Sequence, residues 1–142
     1  MDTGRAEFFY TMPTKSLKID FELKKVAGFD VVDCGEMTHY DTNDAVDEAN
    51  AANAGGFNDW CLADAHNYSS LAMLAPDDMV VWSASHYEDD VKCAWDVYFG
   101  DGSISSRRRD HSNAVRLVRR SQLLEIGRAG HIASLRKAGI EV

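Results

Sequence analysis

Residues 80–120, VVWSASHYEDDVKCAWDVYFGDGSISSRRRDHSNAVRLVRR, constrain the fold most, because their apolar runs are short and regularly interrupted. Runs 80–82, 94–99 and 114–118 are rich in β-branched and aromatic residues and are bounded by polar or glycine-bearing breaks, which predicts strands rather than helices. Gly100-Asp101-Gly102 then supplies a hairpin turn, since glycine accepts positive φ without a Cβ clash. Two of the three tryptophans lie in this stretch.

Upstream, Leu17, Ile19, Phe21 and Leu23 alternate with Lys18, Asp20 and Glu22, a period of two that predicts a strand with one buried face. A further strand is readable at 8–11 before Met12-Pro13 interrupts it, and another at 29–33, followed by a polar loop through His39. Asp41 or Thr42 can cap a helix whose small apolar face is Ala45, Val46, Ala49 and Ala52, and Gly55-Gly56 would end it. Asp64 is a good cap for a second helix, with Tyr68, Leu71, Ala72 and Ala75 at helical spacing before Pro76 stops it. Strand, helix, helix and then several strands make an α+β chain. Its 142 residues suit one domain over residues 1–120. Residues 121–142 read as a helical extension, with an apolar pattern broken at Gly127, Gly130 and Gly139. That extension either packs on the domain or serves a partner or a second copy of the chain.

Charge is unevenly placed. Residues 1–104 carry 6 basic and 20 acidic side chains and residues 105–142 carry 9 and 3, so an acidic body adjoins a basic tail. The tail neutralising the body is the plain reading; an acidic face offered to a basic partner is the sharper one. Direct duplex binding is disfavoured, because the body repels phosphates. Cys34, Cys61 and Cys93 are odd in number and lack metal-ligand spacing, so neither a disulfide framework nor a zinc site is implied, and no cofactor is expected. No apolar run approaches the roughly 18 residues of a membrane span, and no secretion signal is readable at residues 1–15, so a cytoplasmic protein is expected.

The chain resembles a known family at the level of ordered motifs: Asp59-Trp60-x-Leu62, Ser70-Leu71, Trp82-Ser83-Ala84-Ser85, Ala94-Trp95-x-Val97-x-Phe99 and Val115-Arg116-Leu117-Val118-Arg119. This combination, spanning about residues 42–120, is similar to the Lcl C-terminal-like domains. The resemblance implies a C-type-lectin-like fold related to the formylglycine-generating-enzyme group, with two helices packed on short antiparallel sheets. Where that family has Asp-Trp-Arg-Leu-Pro-Thr, this chain has Asp59-Trp60-Cys61-Leu62-Ala63-Asp64, so a site that used the arginine does not carry over. The resemblance implies that Trp60, Trp82, Trp95 and Arg116 are structural.

Two oppositely charged stretches are the candidate binding elements. His86, Tyr87, Glu88, Asp89 and Asp90 form an acidic loop, either solvated or, less in keeping with known calcium-loop spacing, cation-binding. Arg107, Arg108, Arg109 and His111 form a basic one, which either offsets the acidic body or pairs with phosphate or sulfate oxygens. His39, Asp41 and Asp44, with His66 if the two helices pack together, are a further cation or acid–base candidate. No catalytic set assembles, and acidic neighbours oppose thiolate formation at the cysteines. The expectation is therefore a non-catalytic module that binds a protein partner with a basic surface, without membrane or metal. In its narrower form it is a phage- or mobile-element-encoded inhibitor of a host nucleic-acid-binding complex. The alternatives are a carbohydrate- or receptor-binding lectin-like module and a formylglycine-generating-type enzyme.

Overall fold

Ser112–Arg119, the last apolar run, is the central strand of the sheet, as shown by a computed structural model that describes residues 19–86 and 89–141. Among those residues the chain forms β1 (Glu22–Val26), β2 (Phe29–Thr38), α1 (Thr42–Ala51), β3 (Trp60–Cys61), α2 (Ala65–Leu74), β4 (Val80–His86), β5 (Cys93–Tyr98), β6 (Ile104–Arg108), β7 (Ser112–Arg119) and α3 (Leu123–Lys137). The class is α+β, as expected. The strands do not make separate antiparallel sheets but join one mixed sheet, ordered β1-β2-β7-β4-β5-β6. Along one edge of β7, β2 runs antiparallel, with Asp33 opposite Arg116 and Val31 opposite Val118. On the other edge β4 meets β7 in parallel at Val81 and Ala114. Beyond that point β3 enters between them, bonded to β7 opposite Val118 and Arg119, and Ala84 N donates to Ala63 O at 2.8 Å just after it.

Both faces of this sheet are covered, which is why the central strand reads as a continuous apolar run rather than an alternating one. Val31, Val81, Val97 and Val118 pack with Tyr68 and Leu71 of α2 and Ile126 of α3. Val32, Val115, Leu117 and Trp82 pack with Ala45 and Ala49 of α1 on the opposite face. Trp60 and Trp82 are core residues with satisfied ring nitrogens, Trp60 Nε1 donating to Ala54 O and Trp82 Nε1 to Met37 O, each at 2.9 Å, and Trp95 is partly buried against the α2 side of the core.

Several local expectations change. β1 begins at Glu22, and Ile19 and Phe21 lie ahead of it, packed on the α1 side of the core. Leu23, within the strand, is 52% exposed, so the alternation marks partial burial of the segment that leads into the strand and not a buried strand face. Leu17 and the run 8–11 lie outside the described residues. β2 continues past Asp33 to Thr38 through a bulge at Gly35, whose φ of +82° suits glycine, where a polar loop was expected. At α1 neither expected cap operates: Asp41 makes no capping bond, and Thr42 Oγ1 donates back to His39 O at 2.8 Å within a 3-10 turn. Past the helix end, Asn53 already takes the left-handed conformation ahead of the two glycines. Asp64 does cap α2, accepting from Asn67 N at 2.8 Å. Helix α3 runs through Gly127 and Gly130 without a break. A Cβ at Gly130 would fall 2.3 Å from Ser70 Cβ, so this glycine permits close packing of α3 on α2.

Candidate functional site

The sheet holds two buried carboxylates whose charge is locally satisfied. Arg116, 2% exposed, donates through Nε and Nη2 to the two oxygens of Asp33 at 2.7 and 3.0 Å, and through Nη1 to Asp77 at 3.0 Å. Lys24 Nζ reaches Asp33 at 3.0 Å from the edge strand, and Tyr68 donates its hydroxyl proton to Arg116 O. Burial works to raise the Asp33 pKa, but the hydrogen bonds and charges of Arg116 and Lys24 outweigh it and hold the carboxyl below its ordinary value. On the other face Asp96, 0% exposed, accepts from Ser105 Oγ and Arg107 Nε at 2.7 Å and from Asn113 Nδ2 at 2.9 Å. These two hubs tie β7 to β2 and β5 to β6.

Next to the first hub lies an open groove of about 610 Å³, lined among others by Asp20, Glu22, Lys24, Asp33, Glu36 and Asp78. Lys24 is already bonded to Asp33 and lies 3.9 Å from Glu22. Asp20, Glu36 and Asp78 are exposed and have no cationic partner among the described residues. The β2 bulge and the turn leading into β4 bring Asp78 to Asp20 and Glu36, each more than forty positions away from it in the chain. Charge counting finds the acid excess, but nothing in the local sequence assigns it to a groove.

The two charged stretches singled out from the sequence come together, but not as two free loops. His86 closes β4, opposite Ala94, and Tyr87 and Glu88 lie outside the described residues. Asp89 is exposed, while Asp90 shapes a turn by accepting from Lys92 N at 2.9 Å through its side chain and from Cys93 N at 3.0 Å through its carbonyl. Arg107 and Arg108 belong to strand β6, not to a loop, because they pair opposite Ala94 and Cys93. Strand alternation sends them to opposite faces: Arg107 turns to Asp96, and Arg108 pairs with Asp110 at 3.1 Å in solvent. Arg109 N donates to Lys92 O at 2.7 Å, which joins the two stretches, and its guanidinium donates to His39 Nδ1 at 2.9 Å. His111 is exposed. The three arginines therefore point to three different partners, which removes the convergent geometry that a single oxyanion would need.

The His39 candidate is also rearranged. An arginine can only donate, so His39 Nδ1 accepts and its Nε2 proton donates to Ser83 O at 2.9 Å, leaving a buried neutral ring edge-on to Trp82. His66 is not brought to it, because α1 and α2 pack on opposite faces of the sheet. Among the described residues no group of three or more His, Cys, Asp or Glu side chains is arranged to hold a metal ion. The thiols are shifted away from nucleophilic character. Burial, with Asp33 and Glu48, pushes Cys34 up to about 12, and burial raises Cys61 against the opposing charge of Arg120. Partial burial and the Asp90 carboxylate raise Cys93. No helix among the described residues is long and apolar enough to cross a membrane.

Residues 22–119, from the first edge strand through the central strand, match the family model of the Lcl C-terminal domain. No match is found among curated proteins. The matched span is well over half of the chain and contains the whole sheet and both hubs, so the chain belongs to the Lcl C-terminal domain family.

Proposed function

We propose that this domain is a non-catalytic recognition module on a C-type-lectin-like scaffold, and that it binds a protein partner with a basic surface. The observation that carries the reading is the groove of about 610 Å³ whose exposed carboxylates, Asp20, Glu36 and Asp78, have no cation of their own among the described residues. Uncompensated like charges in a concave site focus potential, speed association with a basic partner and repel phosphate backbones. The raised thiols add support, since burial keeps Cys34 and, against the charge of Arg120, Cys61 away from the thiolate form a catalytic cysteine uses. Cytoplasmic action and the inhibitor role on a host nucleic-acid-binding complex are the narrower form of the reading, and a setting among housekeeping metabolic genes would count against them.

Affinity capture of the partner, followed by titration with Asp20→Ser/Glu36→Ser/Asp78→Ser, tests the groove. Binding at unchanged affinity would overturn its role. The parallel triple Glu88→Ser/Asp89→Ser/Asp90→Ser separates the acidic loop from the groove: a loss confined to that variant would move the contact to the β4–β5 turn.

A further inference from the structure

The edge strand β1 separates two concavities of different chemistry. On one side lies the acidic groove, which Glu22 and Lys24 line. On the other is a smaller hollow of about 240 Å³, walled by Leu23, Gly55, Phe57 and Trp60 among others. Strand alternation explains the division. Glu22 stands opposite Asp33 and shares its face with Lys24, which reaches Asp33 at 3.0 Å. Leu23 stands opposite Val32, on the face covered by α1, and its side chain lies against Gly55. The hollow is below the roughly 300 Å³ at which small-ligand sites begin, so it suits apolar side chains of a larger partner rather than a whole ligand.

Between the two concavities β1 presents an open edge. Among the described residues it pairs with β2 alone and ends the sheet. Ala27 and Gly28, both at positive φ, make a two-residue turn closed by Val26 and Phe29. The closing pair exchanges hydrogen bonds, and in an antiparallel ladder that exchange recurs at every second pair, so Lys24 and Glu22 bond inward to Val31 and Asp33. Leu23 and Lys25 therefore turn their backbone N–H and C=O outward. Glu22, Leu23, Lys24 and Lys25 are all exposed. Lysines often guard such an edge, but here Lys24 and Lys25 are each paired with a β2 carboxylate, Asp33 and Asp30.

We infer that β1 accepts a further strand from a protein partner, and that this strand alternates basic and apolar residues. Backbone bonds to Leu23 and Lys25 set its position. Its basic side chains project into the groove of Asp20, Glu36 and Asp78, and its apolar ones project toward Leu23 and Phe57. The inference rests on the acidic-groove reading and specifies the form of the partner.

Solution NMR titration of the isotope-labelled full chain with two capped six-residue peptides of identical composition tests it. One alternates arginine and valine, and the other carries the same residues in two blocks. The alternating peptide should bind about 10-fold more tightly, the gain expected for a few backbone bonds, and should slow hydrogen exchange at the Leu23 and Lys25 amides. Two N-methylated forms of that peptide, one modified at its arginines and one at its valines, locate the pairing edge, because alternate residues of a strand point their amides to opposite sides. One form should lose about 10-fold in affinity and the other should keep it. Equal affinity of the alternating and block peptides, or equal effects of the two methylations, would overturn strand addition while leaving the acidic groove standing. In Asp20→Ser/Glu36→Ser/Asp78→Ser both peptides should weaken, and unchanged affinity there would overturn the groove reading itself. Absence of saturation by either peptide up to about 10 mM, the millimolar regime of weak binding, would overturn both.

Discussion

Asp33 lies at the boundary between two regions that use the same chemistry for opposite ends. Inward, its carboxylate is enclosed with Arg116, Asp77 and Lys24, and charge is balanced bond by bond. Outward, Asp20, Glu36 and Asp78 line the groove without such balance. Burying a charge is tolerable only with a well-placed partner, whereas an exposed carboxylate is stabilised by water and its field extends about a Debye length. Acids in the hub therefore stabilise the sheet, and acids in the groove are free to act on something else.

Substitutions that cross this boundary should separate stability from binding. Arg116→Leu should cost the most, about 3–5 kcal/mol in denaturant unfolding, because it leaves a buried carboxylate without its partner. Adding Asp33→Asn should recover part of that loss; a fully additive double variant would show that the two side chains do not act as one unit. Asp96→Ala should cost about 2–3 kcal/mol, since Asn113 loses its acceptor and Arg107 its partner. A loss below about 0.5 kcal/mol, the range of ordinary surface changes, would demote that hub.

Acid should act on the same boundary. Asp33 titrates below its ordinary value in the folded chain, so its contribution is fully present above the unfolded carboxyl pKa, about 3.9, and is lost as pH falls through the lower folded value. Asp59, held down chiefly by its hydrogen bond from Arg119, follows the same sign. The stability difference between the native chain and Asp33→Asn should therefore shrink as pH drops below about 4, and a difference that grew there would contradict the assignment. Smallest of all, Arg108→Ala should change stability by less than about 0.5 kcal/mol, because its pair with Asp110 is exposed on both sides.

The apolar runs at 80–82, 94–99 and 114–118 were legible as strands because composition and flanking turns agree there, and Asp64 was legible as a cap because its bond is local. The exposed β6 was not, since its sequence, ISSRR, carries no apolar face and it is held by pairing with β5 alone. The same pairing converted an arginine loop into a strand and sent its side chains apart. The groove was illegible for a different reason. Its acids were counted, but their convergence depends on a bulge at Gly35 and on strand order, and neither has a short-range signal. The link from Arg109 to His39 spans 70 positions and was hidden in the same way.

The most direct test of the groove is the affinity of a captured partner for two variants with equal charge change. One is Asp20→Ser/Glu36→Ser/Asp78→Ser, in the groove, and the other is Asp44→Ser/Asp47→Ser/Glu141→Ser, outside it. The groove variant should bind at least about 10-fold more weakly, with a stability change within the surface range, and the other should stay within about threefold, as generic screening-sensitive attraction would give. Equal losses in the two would contradict a localised acidic site and leave only the net charge of the chain.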